Sequence, residues 1–390
     1  MNSFRFLHIA DLHLDTKPGR GKIQLPPAKR AVILKRIKEG MEKIPEIVKA
    51  KKLDAVLIPG DLFHREPADV DLLNFTIDTF EKLSPMPVFL LPGNHDTYIP
   101  RGNYDAEWLK IQHGRTWPDN VKIFKTEKFN AIQVPAREDV MITGALTPTG
   151  ETGHRLSQKI PVSSGHINIL LFHGACMDGN LPGIQPTDPF TSDELLSQDF
   201  DYIALGHYHT FKEFIDENGK IRGAYSGAPW GQNLDESGEK FCLAVEVSKD
   251  MVCIDKIQLV NYVIRDTGLD ISGLKSINEI KSKILEFIGT IARKDDIVYL
   301  RLEGRIPPSL SISSLEIDYD GICFHLVIDT TAALPDYDIG LLRKKGTMLE
   351  KEFIKNMEAR IREEPEKKEI LDSALYYGLD AIRGMGVSPR

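Results

Sequence analysis

The chain has 390 residues, 42% of them hydrophobic, which is enough for one catalytic domain with a large core and one or two smaller units. Its formal net charge of -8 argues against a generally basic nucleic-acid-binding surface, although bound cations and local Lys/Arg clusters leave DNA open as a substrate. No apolar run approaches the roughly 18 residues of a membrane span, and the sequence enters an apolar strand pattern at Phe4 without a basic, cleavable leader, so a cytoplasmic protein is expected.

In chain order, Phe4 to Ala10 is an apolar strand that stops at Asp11. A loop with Lys17, Arg20 and Lys22 precedes a helical pattern from Ala28 to Lys51, with a possible break at Pro45. Asp54 to Pro59 is the second strand, Asp69 to Leu83 a helix and Pro87 to Leu91 the third strand. Later strands are expected at Met141 to Leu146, Ile167 to Phe172, Tyr202 to Leu205 and Cys242 to Val247. Several of these are apolar throughout, which implies sheets covered on both faces. Strands alternating with helices argue for an α/β domain with a sandwiched sheet core. Beyond Asn261 to Leu274 the pattern changes to a helix over Ile277 to Ala292 and strands at Ile297 to Leu302 and Ile322 to Ile328. From about Gly340 the chain is charged and helical, with a polar break at Glu363-Glu364-Pro365 and a further amphipathic stretch from Ile370 to Ile382. Cys176, Cys242, Cys253 and Cys323 form no C-x-x-C pair and are expected as free, mostly buried thiols.

Five of the apolar runs stop at clusters of Asp, His or Asn: Asp11-Leu12-His13, Gly60-Asp61, Gly93-Asn94-His95-Asp96, His173-Gly174 and Gly206-His207-Tyr208-His209. Taken singly, a strand-end Asp is more often a cap or turn and an H-x-H pair incidental. Together, after strands whose carboxyl ends share a rim, they read as one ligand site. Mixed carboxylate, imidazole and amide oxygen suits manganese, iron or zinc, not a thiolate site or an all-oxygen calcium cage. Seven such ligands are too many for one ion and suit two ions sharing a bridging carboxylate.

The order of these motifs resembles the calcineurin-like metallophosphoesterase superfamily. More narrowly, "HIADLHLD", "LIPGDLFHREP", "LPGNHD", "LFHG", "DYIALGHYH" and "YSGAPWGQNLDESGEKFCL" resemble the SbcD/YhaO group of DNA repair exonucleases over about residues 4 to 248. The resemblance implies a four-layer sandwich of two mixed β-sheets flanked by helices, spanning residues 1–262. It implies a small α+β capping domain at 263–335 and a helical C-terminal segment at 336–390 that docks an SMC-like coiled-coil ATPase of the SbcC/YhaN type. It also implies that Asp11, His13 and His209 bind one divalent ion, that Asn94, His173 and His207 bind a second, most plainly manganese, and that Asp61 bridges them. His95 is then placed at the scissile phosphate or its leaving oxygen, with Asp96 orienting the imidazole, and His64 positions the phosphate; His64 marks the nuclease branch. The segment from Tyr225 to Asn233, with Trp230, closes the far side of the site or joins the core. Arg20, Lys22 and Arg65 are candidate phosphate contacts. Homodimerisation near the GNHD loop would use Trp108, Leu109 and Ile111.

The expected activity is two-metal hydrolysis of DNA phosphodiesters, as a 3′-to-5′ exonuclease or single-strand endonuclease in end processing, with no membrane partner. One alternative keeps the chemistry on cyclic nucleotides or other small phosphodiesters. Another is a non-catalytic adaptor, against which the complete ligand set argues.

Overall fold

The apolar runs become strands because each presents two buried faces, and the buried faces demand two further layers. In the computed structural model, which describes residues 3–148, 154–178, 186–307, 310, 312 and 315–384, the strands form two six-stranded sheets and one three-stranded sheet. In chain order they are β1 (Phe4–His8), β2 (Ala55–Pro59), β3 (Val88–Leu91), β4 (Val121–Ile123), β5 (Asn130–Val134), β6 (Arg137–Gly144), β7 (Ile167–His173) and β8 (Tyr202–Gly206). β9 (Lys212–Ile215), β10 (Ile221–Tyr225), β11 (Cys242–Val247), β12 (Val252–Ile257), β13 (Ile264–Asp270), β14 (Ile297–Ile306) and β15 (His325–Pro335) follow. The chain divides into two units between Ile264 and Arg265.

The first unit is a sandwich. One sheet runs β12-β11-β1-β2-β3-β4 and the other β5-β6-β7-β8-β10-β9. Both are mixed: β1 to β4 are parallel neighbours, as are β6-β7-β8-β10, while β11, β12, β5 and β9 pair antiparallel. Side-chain alternation sorts the layers. Phe4, Phe6, Leu57 and Phe89 of the first sheet meet Ile142, Ile169, Leu171 and Tyr202 of the second in one core between the sheets. The intervening residues Leu170, Phe172, Ile203 and Leu205 face the other way, into a second core with Phe190, Leu195 and Phe214. The helices are α1 (Pro27–Glu42), α2 (Ile44–Ala50), α3 (Val70–Glu81), α4 (Ala106–His113) and α5 (Ser192–Leu196). The expected helix over 28–51 breaks at Lys43, since Pro45 has no N–H to give the preceding turn. α3 begins where Asp69 accepts from the N–H groups of Asp71 (3.0 Å) and Leu72 (3.3 Å).

Because β1, β2 and β3 are parallel, and β7 and β8 are parallel, the Asp/His/Asn clusters that follow them emerge in two rows, one at the carboxyl edge of each sheet. Side chains join the two rows. His8 at the end of β1 has Nδ1 3.1 Å from the Tyr202 hydroxyl and Nε2 3.1 Å from the Leu205 carbonyl, both on β8.

In the second unit, Ile280, Ile284 and Ile288 of α6 (Ile277–Ile291) pack with Val298, Leu300 and Leu302 of β14. The strand expected at 322–328 instead begins at His325 and runs to Pro335, because its register is set by parallel pairing with β14, Ile297 opposite His325. The helical stretch resolves into α7 (Ile339–Lys345), α8 (Met348–Glu363) and α9 (Lys368–Ile382) around Tyr337, Ile354, Met357, Leu371, Leu375 and Leu379. Residues of the expected cap and of the expected tail fall in this one unit, linked by Arg305 over the Tyr376 ring at 3.9 Å. Cys176, Cys242 and Cys323 are buried and Cys253 is exposed. Among the described residues no helix is long and apolar enough to cross a membrane.

Leu171, fully buried between the sheets, tests this layering. Leu171→Ala is expected to lower unfolding stability by about 2–5 kcal/mol in denaturant titrations, whereas Ile111→Ala, at a residue 79% exposed, should change it little.

Candidate active site

The loops that carry the predicted ligands are laid down by backbone pairing beyond the strands. Asp11 N–H donates to the Gly60 carbonyl (3.1 Å), His13 N–H to Asp61 (3.0 Å) and Leu14 N–H to Leu62 (3.1 Å). Four of the seven residues, Asp11, His13, Asp61 and His207, have φ of 54°, 41°, 54° and 107°. Non-glycine residues rarely adopt such values, and each costs on the order of 1–3 kcal/mol. The strain aims the side chains at one point. Glycine is required beside them: a Cβ on Gly60 would lie 2.0 Å from His173 Nδ1, and one on Gly206 would lie 1.9 Å from the Pro59 carbonyl oxygen.

All seven predicted ligands converge. Ligand atoms of Asp11, His13 and His209 lie within 4.8 Å of one another, as do those of Asp11, Asp61 and His173. Asp61 stands between the groups, with Oδ2 3.5 Å from both His13 Nε2 and His173 Nε2 while Oδ1 accepts the His95 N–H at 3.0 Å. The Asn94 amide oxygen is 2.8 Å from His173 Nε2 and 3.2 Å from His207 Nδ1. The Asp11 carboxylate also receives the His207 N–H, at 3.0 and 3.1 Å.

The electrostatics favour a cation. Burial pushes the imidazoles of His13, His173 and His207 down to about 2, 4 and 3, so each is neutral. His173 Nδ1 donates to the Pro59 carbonyl at 3.0 Å, which leaves its Nε2 lone pair against the Asn94 oxygen. His13 Nε2 lies 3.2 Å from His209 Nε2, an approach of two nitrogens that only a proton or a metal ion makes favourable. The His13 Nδ1 is buried without a hydrogen-bond partner. Burial also raises the carboxyls of Asp11 to about 8 and Asp61 to about 6, a desolvation cost that the nearby His209 imidazole offsets only in part. Nitrogen and oxygen donors brought together in this way fit a transition-metal cation.

His64 and His95 lie at the exposed mouth, their rings stacked at 4.7 Å and each beside the His13 ring. Asp96 does not orient the His95 imidazole. Its buried carboxylate accepts the N–H of Gly93 (2.8 Å) and of Phe63 (2.9 Å) and the Tyr104 hydroxyl, which ties the 60–64 loop to the 93–96 turn. Trp230 is a core residue: it is fully buried, and its indole N–H donates to the Leu12 carbonyl at 3.1 Å. Arg65 is paired with Asp15, Nε to Oδ2 3.2 Å, and Asp15 also accepts the His64 N–H. Arg20 and Lys22 are exposed on the loop before α1. Leu109 is buried, while Ile111 faces solvent.

Two contributors escape a reading of the motifs. Glu236 accepts from His209 Nδ1 at 2.7 Å and from the Gln232 N–H at 2.6 Å, and Gln232 Nε2 donates to the carbonyls of Leu12 (3.2 Å) and His13 (3.1 Å). Both follow Trp230 in a segment without strand or helix periodicity, and only their place in "GQNLDE" signals them.

Residues 4–211 match the family model for calcineurin-like phosphoesterases. The chain belongs to this family. It is therefore a phosphoester hydrolase of a metal-dependent family, and the His/Asp groups described above could hold the metal. It is 26% identical over 326 residues to the uncharacterized metallophosphoesterase YhaO of Bacillus subtilis (strain 168), covering 79% of this chain and 73% of that one. It is 26% identical to the DNA double-strand break repair protein Mre11 of Saccharolobus solfataricus, covering 65% of this chain and 63% of that one. It is 22% identical to a subunit of the SbcCD nuclease of Bacillus subtilis (strain 168), covering 60% and 63%. The match thus spans less than two thirds of the latter two relatives.

The charge pattern sets a pH profile for the metal-free protein. Neutral His8, His13, His173 and His207 contribute stability present above the ordinary value of 6.5 and lost as pH falls toward their depressed values. Asp11, Asp96 and Glu66, raised by burial to about 8, 7 and 7, contribute stability that is lost as pH rises through those values. Metal-free protein should therefore lose Tm between about pH 6.5 and 8. A divalent ion, which takes the deprotonated carboxylates, should raise Tm more at the upper end of that range than at the lower. Calorimetry showing equal gains at both ends would count against the site as described.

Proposed function

We propose that the protein is a two-metal DNA nuclease that hydrolyses phosphodiester bonds in end processing. The observation that carries the reading is the stacked His64–His95 pair at the mouth of the cluster, beside His13. In the proposed site Asp11, His13 and His209 would hold one ion, Asn94, His173 and His207 would hold the other, and Asp61 would contribute to both. Manganese is the proposed ion; the nitrogen-rich set also accepts iron or zinc. Bound divalent ions supply the positive charge that activates water near neutral pH and offsets charge building on the phosphoryl group.

The chain's own residues do the rest. His95 N–H donates to Asp61 Oδ1, which fixes the backbone so that its imidazole faces the incoming phosphate from the solvent side. There it protonates the departing oxygen, and His64, held against it, orients the phosphate. Asp96 serves by locking both loops in register, not by touching the imidazole.

Support for DNA as the substrate comes from the relatives named for double-strand break repair and for a nuclease. The second unit is proposed to limit which ends enter. Its helices leave Leu341, Met348, Leu349 and Ile370 exposed, and these are proposed to dock a coiled-coil ATPase of the SMC type.

The test is cleavage of 3′- and 5′-labelled duplex and single-stranded DNA with Mn2+. Wild-type protein should cut, and His95→Ala and His64→Ala should each lower kcat by about 10²–10⁴ while still binding metal. Turnover of bis-p-nitrophenyl phosphate or cyclic nucleotides without any cleavage of DNA would sink the nuclease reading and leave a small-molecule phosphodiesterase.

A further inference from the structure

The histidines of the site are not supported alike. His209 Nδ1 is held at 2.7 Å by the buried carboxylate of Glu236. His173 Nδ1 is held at 3.0 Å by a neutral carbonyl, that of Pro59, while the 3.2 Å approach of His207 Nδ1 to the Asn94 amide oxygen joins two groups assigned to the same ion. A carboxylate behind an imidazole fixes its tautomer and makes the opposite nitrogen a stronger ligand. A carbonyl fixes the tautomer with less effect on basicity.

The same carboxylate reaches the other ligands of its group. Glu236 Oε2 accepts the Gln232 N–H at 2.6 Å, and the Gln232 side chain donates to the carbonyl of His13 at 3.1 Å. One buried acid therefore positions His209 directly and the Asp11–His13 loop through one residue. The group of Asn94, His173 and His207 has no anion of its own among these ligands, and it shares Asp61. Formal charge and ligand support both point the same way.

We infer that the two cation positions are unequal. The Asp11/His13/His209 position fills first and tightly, the Asn94/His173/His207 position fills later and weakly, and Glu236 is the positioning residue that separates them. This rests on the two-ion reading of the site. It makes the enzyme's activity a function of ambient metal, since the loosely held ion completes the site only when the supply is high.

The test is titration of metal-stripped, full-length protein with Mn2+, reading free ion by its electron paramagnetic resonance. Wild type should bind in two resolved steps. Glu236→Gln keeps an acceptor oxygen but removes the charge, and should weaken the tight step by about 10–100-fold while leaving the weak step in place. The half-maximal Mn2+ concentration for phosphodiester cleavage should follow the weaker of the two steps in each protein. Glu236→Asp, with the charge on a shorter arm, should fall between the two. Equal sites in the wild type would overturn the inference without recourse to any variant. So would a Glu236→Gln titration that matches wild type, or one that weakens both steps alike, as a general loss of structure would. Two unequal steps in a protein that leaves DNA uncut would fail the nuclease reading and keep this one. DNA cleavage with two equal sites would do the reverse, and a single bound ion would overturn both.

Discussion

The site depends on the closeness of two sheets along one edge. Stacked sheets ordinarily lie about 10 Å apart, with side chains filling the gap. Here the gap closes at the carboxyl ends of the strands until His173 of one sheet hydrogen-bonds the Pro59 carbonyl of the other at 3.0 Å. A Cβ on Gly206 would sit 1.9 Å from that same oxygen, so the approach is open only to glycine. His8 adds a second link to Tyr202 and Leu205. With the sheets held this way, loops from β1, β2 and β3 face loops from β7 and β8, and residues as far apart as Asp11 and His207 come within hydrogen-bond distance.

That arrangement is costly to the bare protein. Two carboxylates, Asp11 and Asp61, are almost wholly withdrawn from water; His13 and His173 beside them are held neutral by burial, and His209 is the neighbouring imidazole whose pKa is raised. Four of the seven residues also hold left-handed backbone conformations. Backbone strain and buried charge gathered at one rim, while the rest of the first unit is layered apolar core, is the pattern of a functional site. The hydrogen bonds that restrain it come from residues with no chemistry of their own: Trp230 and Gln232 on the Leu12 carbonyl, and Tyr104 on Asp96.

Much of this was legible in the sequence because strand termini announce themselves. The apolar run at Ala55–Pro59 can stop only where the chain turns, and Gly60-Asp61 marks the place. The same logic holds for β3, β7 and β8, so the five Asp/His/Asn clusters could be placed at strand ends, while the assignment of seven of these residues to metal is what the family resemblance implies. Long-range partners had no such signal. Asp96 sits next to His95 in the chain and invited a pairing with it, yet its oxygens are taken by Phe63, Gly93 and Tyr104. Arg65 followed a metal-bearing loop and suggested a phosphate contact, but Asp15, itself overlooked, holds it. Glu236 lies in a loop, where no periodicity points to what its side chain meets. The edge strands β4, β5 and β9 were too short or too polar to register as apolar runs. The start of β15 was misplaced because pairing with β14, not local composition, decides it.

The central proposal is that Asp61 would lie between two bound cations. Anomalous scattering at the manganese edge, from crystals of the full chain grown with Mn2+, tests it most directly. The account predicts two peaks about 3.5–4 Å apart, one beside Asp11, His13 and His209, the other beside Asn94, His173 and His207, with Asp61 touching both. A single peak, or two peaks that do not share Asp61, would contradict it.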